Sequence, residues 1–360
     1  MDCLVGWLPS NASALHEFRE QYSWVNRITF LDIPPLVSYS MEGILAAYCK
    51  IRASPVLARA LLEPPDLFFA NYFFSAPMLD LLPARCKKVL ETHDLWTHQF
   101  LAQEHHFAPD APPDPLEPVR KRYLFQFETS VYNLYDAAIM CQPEELAEAR
   151  ATQNANFHYV PRMHPLAEQA AHQKTEQPID LLFVGSDNYF NQDGINWFHR
   201  HVYEPYLSAQ RVRLSLVGRI CEQVKFDGQN VCKMGLIRGG IEELRKVYDL
   251  AKLVIVPMRK GTGVSIKTLE ALGMGCAVVS TPVGARGLRH AEEAMVCLDM
   301  EADPKATADR ILRLLASDTE RHAWEIAALS YMRKHHSREA FYRSMDTVME
   351  SVGFSPNAKG

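Results

Sequence analysis

The chain has 360 residues, which predicts two domains at the usual size of about 100–200 residues per domain. Its 38 basic and 43 acidic side chains give a net charge of −5, and this balance argues against nucleic acid as the main partner. With 48% hydrophobic and 22% charged residues, the composition is typical of a folded globular chain and excludes a disordered one.

The sequence favours a cytoplasmic location. The longest mostly apolar stretch, residues 67–82, contains Asn71 and Asp80 and is shorter than the roughly 20 residues of a membrane span. The first residues, MDCLVGWLPSN, lack the basic region of a secretory signal. The 8 cysteines include no C-x-x-C pair, and we expect reduced, mostly buried thiols.

Short apolar runs alternate with helical patterns along the whole chain. In chain order the runs are 3–8, 28–33, 67–70, 88–91, 137–141, 157–160, 180–184, 213–217, 231–234, 253–256, 277–280 and 294–298. Amphipathic segments between them, such as 116–133, 195–206 and 241–250, predict helices. This alternation is typical of parallel βαβ units. Both halves show it, so we predict an α/β protein with two Rossmann-like domains that face each other across a cleft.

A polar, proline-bounded segment, 161–178, separates the two halves. We predict an N-terminal domain over 1–165, a linker or hinge over 166–178, a C-terminal domain over 179–335 and a C-terminal helix within 336–360. That last helix can pack on either domain. The first predicted strand is followed by PSNASALHEF, without a glycine cluster. Either the N-terminal domain does not hold phosphate at its first turn, or an opening β–α unit is missing.

The segment 252–288, KLVIVPMRKGTGVSIKTLEALGMGCAVVSTPVGARGL, is the most informative. A predicted buried strand ends in a loop with Gly261 and Gly263, and a predicted helix follows directly. A loop between the carboxyl end of a parallel strand and the start of a helix attracts phosphate through free N–H groups and the helix dipole. Lys260 and Lys267 add positive charge to this predicted anion site.

Glu270 lies three positions after Lys267, so the two share one face of the predicted helix. A carboxylate beside an anion-binding loop can accept hydrogen bonds from two hydroxyls, such as those of a ribose. The alternative is a Lys–Glu pair on the helix surface. The surrounding glycines and strands favour the hydroxyl-binding role.

The segment resembles the nucleotide-sugar-binding motif of the family 4 glycosyltransferases, which have the GT-B fold. In that motif a carboxylate and a glycine-rich turn precede Leu-Glu-Ala, with seven residues between the two glutamates. Glu270 matches the second glutamate, and Thr262 stands in the place of the first. The chain is similar to a branch with the pattern G-T-G-x-x-I-K-x-L-E-A, in which Lys267 accompanies the donor.

The resemblance extends over the C-terminal half of the chain. IDLLFVGSDNYFNQDGINWF is similar to the family's first strand–loop–helix there, with Gly185, Ser186 and Asn191 in the loop. LSLVGRI, which contains Arg219, is similar to a later strand. More weakly, 65–96 in the N-terminal half is similar to a segment that ends in a histidine, which places His93 in the cleft.

The resemblance implies a retaining enzyme that moves a sugar from a nucleotide-sugar donor to a glycan, lipid-linked or small-molecule acceptor, without a metal or another cofactor. It implies catalytic roles for His93, Lys267 and Glu270. The implied donor contacts are Gly185, Ser186, Asn191, Arg219, Gly261, Thr262, Gly263 and Val264. The alternatives are a catalytically impaired or non-catalytic nucleotide-sugar-binding protein and a GT-B-type nucleotide-sugar epimerase.

Two further clusters of residues each have a functional and a structural interpretation. His98, His105 and His106 lie near Glu104 but lack the spacing of a metal site, so we expect no metal. The basic run 120–122 on an amphipathic helix indicates either a solvated face or peripheral contact with the inner face of a membrane.

Overall fold

The structure is a computed structural model that describes residues 2–5, 27–30, 46, 49–50, 53–62, 65–107, 112, 114–152, 156–167 and 178–354. Most of the predicted linker, 168–177, lies outside the described residues. So do most of the predicted first turn and the end of the predicted C-terminal segment, 355–360.

Among the described residues, the N-terminal half contains a two-stranded and a four-stranded parallel sheet. Strands β1 (Asp2–Val5) and β2 (Arg27–Phe30) pair with each other. Four further strands lie side by side in chain order: β3 (Leu67–Asn71), β4 (Lys87–Glu91), β5 (Ala137–Met140) and β6 (Phe157–Tyr159). The helices of this half whose bounds the structure describes are α1 (Pro55–Ala60), α2 (Trp96–Phe107), α3 (Glu117–Tyr132) and α4 (Pro143–Thr152), with a 3₁₀ segment over Phe73–Leu81.

The C-terminal half contains a six-stranded, wholly parallel sheet. Its strands are β7 (Ile179–Val184), β8 (Leu214–Val217), β9 (Val231–Gly235), β10 (Ala251–Val256), β11 (Val278–Ser280) and β12 (Val296–Cys297). They lie in the order β12-β11-β10-β7-β8-β9. This is the order of a Rossmann fold, in which the chain reverses its direction of travel between the first and fourth strands.

Helices alternate with these strands and cover both faces of the sheet. They are α5 (Tyr189–Phe198), α6 (Gly240–Tyr248), α7 (Ile266–Gly273), α8 (Pro304–Ala316) and α9 (Asp318–His335), and a π-helical segment (His199–Leu207) continues α5. Along β7, Leu181 packs into the core on one face and Leu182 into the core on the other. Both faces are covered, which is why the sequence shows continuous apolar runs rather than alternation. The prediction of two parallel α/β domains is confirmed.

The last helix, α10 (Arg338–Ser351), joins the N-terminal domain. Ser337 caps it by accepting a hydrogen bond from the Ala340 N–H at 3.2 Å. Val348 and Val352 pack against Val89 and Ile139 of the N-terminal sheet. The sequence did not determine which domain this helix packs on, because the apolar face of an amphipathic helix does not identify its packing partner.

Two remaining expectations concern thiols and membranes. Among the described cysteines only Cys86, Cys141 and Cys276 are buried, so the expectation of mostly buried thiols is wrong. The described helices include none with the length and apolar character needed to cross a bilayer.

Candidate functional site

The site lies at the reversal point of the C-terminal sheet. β7 and β10 are neighbours there, and their connections run to opposite sides. Loops that leave the carboxyl ends of such strands flank a crevice where α/β proteins bind ligands. The loop after β7 carries Gly185 and Ser186, and the loop after β10 carries Gly261 to Val264. Helices α5 and α7, which follow these loops, meet through a hydrogen bond between Asn191 and Lys267, two residues that are 76 positions apart in the sequence.

The loop after β10 is shaped by its glycines. Gly263 has a φ of 61° and is buried, a conformation that glycine adopts at little cost. A Cβ at Gly261 would lie 2.5 Å from the Arg286 guanidinium carbon, so a larger residue there would displace the Arg286 side chain. Helix α7 begins at Ile266, two residues after the predicted start.

Lys267 points from α7 into the crevice. Its Nζ donates hydrogen bonds to Asn191 Oδ1 and, at 3.2 Å, to Met258 Sδ. It also lies 5.4 Å from the centre of the Phe183 ring. Burial and then repulsion from Arg286 lower the pKa of Lys267 to about 7. Neither Lys267 nor Glu270 forms an ion pair with the other, so the alternative of a surface Lys–Glu pair does not describe this structure.

Asn191 connects the two loops. It is 3% exposed, and its side-chain N–H donates to Ser186 O at 3.0 Å and to Ser186 Oγ at 3.1 Å. Its Oδ1 then accepts from Lys267. Gly185 lies under this amide, because a Cβ there would be 3.3 Å from the Asn191 side chain. Asn191 therefore positions Lys267 through an uncharged contact that leaves the cation available to an anion.

Glu270 lies on the same helix, one turn after Lys267. Its Oε1 accepts a hydrogen bond from the Tyr248 hydroxyl at 2.6 Å, which is its one hydrogen bond among the described residues. Burial and the negative charge of Glu270 raise the pKa of Tyr248 well above its usual range, so the hydroxyl stays a donor. The half-buried carboxylate is oriented by one oxygen and has the other free to accept.

Arg286 is a functional candidate that the sequence reasoning missed. Its Nε donates to Thr262 O at 3.0 Å and its Nη1 to Val283 O at 2.9 Å, whereas Nη2 has no acceptor among the described residues. Burial lowers its pKa to about 10, although Glu145 and Asp94 across the cleft oppose the shift. One sequence feature marks it in hindsight, because it follows β11, the strand beside β10, between two glycines.

Arg219 is placed less favourably for an anion. Its side chain is 59% exposed, and Nε lies 3.6 Å from Asp187 Oδ1. A nearby carboxylate already offsets much of its charge. Arg219 borders the crevice on the β8 side, since a Cβ at the preceding Gly218 would overlap Gly185 O.

His93 follows β4 at the edge of the N-terminal sheet and has a left-handed backbone, with φ at 63°. Its Nδ1 lies 2.7 Å from Arg162 Nη2 and 3.2 Å from Glu91 Oε1, and its Nε2 lies 3.2 Å from Asn71 Oδ1. Tyr72 packs on the ring at 4.4 Å between centroids. Both ring nitrogens thus have protein partners in this conformation.

Two N-terminal carboxylates face the glycine loop across the cleft. Glu145 is 4% exposed, and its Oε1 accepts from the Gly263 N–H at 3.3 Å while Oε2 accepts from the Leu95 N–H at 2.9 Å. Asp94 would lie 3.1 Å from a Cβ at Gly263. Burial, then Glu145 and Glu128, raise the pKa of Asp94 to about 6. An N–H group that the fold offers to phosphate is therefore occupied by a carboxylate of the other domain.

A cavity of about 440 Å³ opens between the domains beside this contact. Gly261 and Thr262 line it on the C-terminal side, and α2, α3 and α4 line it on the N-terminal side. Its acidic lining residues are Glu117, Glu144, Glu145 and Glu148. Lys121 and His98 are the basic ones, and His98 lies 3.1 Å from Glu148. The lining favours hydroxyl or ammonium groups over anions.

Of the two other clusters of the sequence analysis, Lys121 and His98 line this cavity. The basic run on α3 begins with Arg120, which pairs with Glu104 and Asp114 at 3.0 Å each. The side chains of His105 and His106 lie outside the described residues.

Part of the C-terminal half is similar to a known protein family. Residues 178–317 match the family described as glycosyl transferases group 1. The match begins one residue before β7 and includes both loops and helix α7. The match is confined to the C-terminal half of the chain.

Solved structures match the whole fold. Sucrose-phosphate synthase from Thermosynechococcus elongatus is 17% identical and has a TM-score of 0.66, with 98% of each chain covered. A UDP-forming α,α-trehalose-phosphate synthase from Burkholderia xenovorans is 14% identical with a TM-score of 0.60, covering 90% of this chain and 81% of that one. The fold is GT-B, with two parallel-sheet α/β domains.

One curated relative is similar in sequence. An uncharacterized 44.6 kDa protein in the cps region of Klebsiella pneumoniae is 30% identical over 158 residues. The match covers 39% of this chain and 38% of that protein, so the similarity spans under half of either.

Proposed function

We propose that this protein is a glycosyltransferase of the family 4 type, which moves a sugar with retention from a nucleotide-sugar donor to a glycan, lipid-linked or small-molecule acceptor. One observation carries the proposal. Lys267 and Arg286 lie beside the glycine loop, and neither forms an ion pair with a carboxylate among the described residues. Burial lowers the pKa of both, and repulsion from Arg286 lowers the pKa of Lys267 further. Two such cations at a helix start suit a diphosphate.

The donor is assigned to the crevice of the C-terminal domain. Its diphosphate lies against the N–H groups of 262–264, with Lys267 and Arg286 as counter-ions. Glu270 accepts from the ribose hydroxyls with the oxygen that Tyr248 leaves free. Gly185 and Ser186 border the nucleotide, and Asn191 holds Lys267 in place.

The transfer needs no protein nucleophile. The bond between the anomeric carbon and the diphosphate oxygen breaks, and its electron pair leaves with the nucleoside diphosphate. The acceptor oxygen bonds to the anomeric carbon on the same face, and its proton passes to the departing phosphate. Fixed cations and N–H dipoles stabilise the negative charge that develops on the leaving group. His93 reaches a sugar hydroxyl by exchanging its Asn71 contact.

The acceptor is assigned to the cavity between the domains. Its four glutamates suit the hydroxyls of a glycan and disfavour a phosphorylated group at that depth. Donor binding displaces Glu145 from Gly263, because one N–H cannot serve a carboxylate and a phosphate at once. A role in polysaccharide biosynthesis is part of this proposal.

We assign the diphosphate charge to Lys267 and Arg286 rather than to a divalent cation. Treatment with EDTA should therefore leave the rate of transfer unchanged. Strong inhibition by EDTA that Mg²⁺ or Mn²⁺ reverses would contradict this assignment.

The test starts from UDP-, GDP-, ADP- and dTDP-sugars. At least one of them should raise the melting temperature, because a ligand that binds only the folded state stabilises it. Release of nucleoside diphosphate should then depend on added acceptor. Thr262, where the family has a carboxylate, favours the second candidate, a protein that binds the donor without transfer. Binding without release would support that candidate, conversion of the donor without an acceptor would indicate an epimerase, and no binding would contradict the whole proposal.

A further inference from the structure

A second cavity, of about 340 Å³, lies where α9 ends and α10 begins, next to the segment that leaves β6. It shares no lining residue with the cleft cavity. The lining residues with polar side chains are Tyr159, Lys334, His335, Arg343, Ser344 and Thr347.

The charges around this cavity are one-sided. Lys334 and Arg343 border it, and no acidic residue does, although the chain as a whole has a net charge of −5. Lys334 reaches one carboxylate among the described residues, Glu293 at 3.9 Å, and Arg343 forms no ion pair within them. Arg289 adds a further cation, because its guanidinium lies 4.2 Å from the centre of the Tyr159 ring.

The cavity also contains hydrogen-bonding groups without partners. His335 Nε2 is buried and has no partner among the described residues, and the Tyr159 hydroxyl makes no hydrogen bond within them. The hydroxyls of Ser344 and Thr347 already donate to the carbonyls of Ala340 and Arg343, both at 3.1 Å. Buried polar groups are normally satisfied, by protein, water or a ligand. Cations and hydrogen-bond donors thus border this cavity, and no acidic side chain lines it.

We propose that this cavity is a second binding site, separate from the donor crevice, for a phosphate monoester. The phosphate oxygens would accept from Lys334, Arg343 and the Tyr159 hydroxyl, the pairing in which charge-assisted hydrogen bonds are strongest. The volume lies within the range of small-molecule sites, about 300–1,000 Å³. A soluble phosphorylated metabolite and a phospholipid headgroup offer the same chemistry.

The position of this site gives it a consequence for the cleft. Lys334 belongs to α9, whose Tyr331 and Met332 pack in the core of the C-terminal domain. Arg343 belongs to α10, whose Val348 packs on the N-terminal sheet. An anion held by both cations bridges elements of the two domains, so its binding favours the domain arrangement in which they lie close together.

The test compares four proteins: wild type, the cavity double variant K334M/R343M, the charge-matched control K305M/R338M, and K267M in the donor crevice. Lys305 and Arg338 are exposed and do not line the cavity. Calorimetric titration with glycerol 3-phosphate should give the same affinity for wild type, the control and K267M. The cavity variant should bind at least about tenfold more weakly, the effect expected for lost charged hydrogen bonds. Melting curves check that each variant is folded.

Vesicles of phosphatidylcholine, with and without phosphatidic acid, distinguish the two sources. Binding of the protein to vesicles that requires phosphatidic acid and is lost in the cavity variant identifies a lipid headgroup as the ligand. Binding of glycerol 3-phosphate without binding to either kind of vesicle identifies a soluble ligand. Three results overturn the proposal. These are binding to neither probe, equal binding by wild type and the cavity variant, and loss of binding in K267M instead of the cavity variant.

Discussion

At the scale of single residues, the partner of Lys267 determines what the crevice can bind. An amide oxygen of Asn191 orients the ammonium without neutralising it, whereas a carboxylate would occupy it permanently. Nearby Arg286 and burial further disfavour the charged form. Keeping Lys267 protonated therefore costs free energy in the free protein, and a bound anion lowers this cost.

This penalty predicts proton uptake when a nucleoside diphosphate binds. The pKa of Lys267 is lowered to about 7 in the free protein, and a bound diphosphate raises it. Near pH 8, where free Lys267 is mostly neutral, binding should take up protons, and near pH 6 it should take up far fewer. Affinity should accordingly fall as pH rises through the pKa of the free protein. Calorimetry in buffers of different ionisation enthalpy measures the uptake, and K267M is the control in which it should vanish. The absence of uptake near pH 8 in wild type would contradict this pKa.

Glu270 is tested best by a substitution that keeps its contact with Tyr248. Glu270→Ala leaves the buried Tyr248 hydroxyl without its partner and costs about 1–3 kcal/mol of stability, which obscures any functional loss. Glu270→Gln can still accept from Tyr248 but loses the charge. We expect its melting temperature to stay close to wild type and its donor affinity to fall by about 10–150-fold. Normal donor affinity with early melting would make Glu270 a structural residue.

The sequence pointed to Lys267, to its partner Asn191 and to Glu270, but not to Arg286, Tyr248 or Glu145. Lys267 and Glu270 lie on one short helix beside glycines, a local pattern that a single sequence displays. Arg286, Tyr248 and Glu145 reach the crevice from other elements. They are 24, 22 and 118 residues along the chain from Thr262, Glu270 and Gly263, which they contact. Local spacing holds no information about such contacts, because tertiary packing creates them. The roles predicted for the site residues stay predictions.

At the scale of elements, the glycine loop and α7 act as one unit. The apolar run of β10 and the glycines after it predict the strand, the loop and the helix start to within two residues. In contrast, the docking of α10 on the N-terminal sheet follows from a surface that only the assembled strands form. The sequence therefore predicted the elements whose pattern is local, but it did not predict which elements pack against each other.

Gly263 tests whether the shape of this loop matters. Its φ of 61° disfavours any side chain, and a Cβ would lie 3.1 Å from the Asp94 Cβ. We expect Gly263→Ala to lower stability by about 1 kcal/mol and to reduce donor affinity by moving the loop N–H groups. Gly353→Ala is the matched control, since its φ is 65° and its Cβ would contact nothing. Equal loss of donor affinity in both variants would show that the loop geometry is unimportant.

At the scale of the whole molecule, Glu145 joins the two domains at the site that the donor needs. The Gly263 N–H donates to Glu145 Oε1 across the cleft at 3.3 Å. In the proposed binding mode, the carboxylate of Glu145 and the diphosphate of the donor compete for the Gly263 N–H.

Removing that competition should strengthen nucleotide binding. We expect Glu145→Gln to raise the affinity for a nucleoside diphosphate several-fold, by at most about 1.4 kcal/mol or tenfold, while the amide still accepts from the Leu95 N–H. Glu148→Gln is the control, because Glu148 lines the same cavity but does not contact Gly263. Weaker binding in Glu145→Gln alone would mean that Glu145 contacts the donor itself.

The central claim is that Lys267, Arg286 and the glycine loop hold a nucleotide diphosphate. Calorimetric titration of wild type with a nucleoside and with its diphosphate, for the base found in the donor screen, tests it most directly. The diphosphate should bind at least about 100-fold more tightly, as expected for two or more charge-assisted contacts. Lys267→Met and Arg286→Gln should each remove much of this difference and leave nucleoside affinity nearly unchanged. Equal affinity of wild type for the nucleoside and its diphosphate, or an undiminished difference in both variants, would contradict the claim.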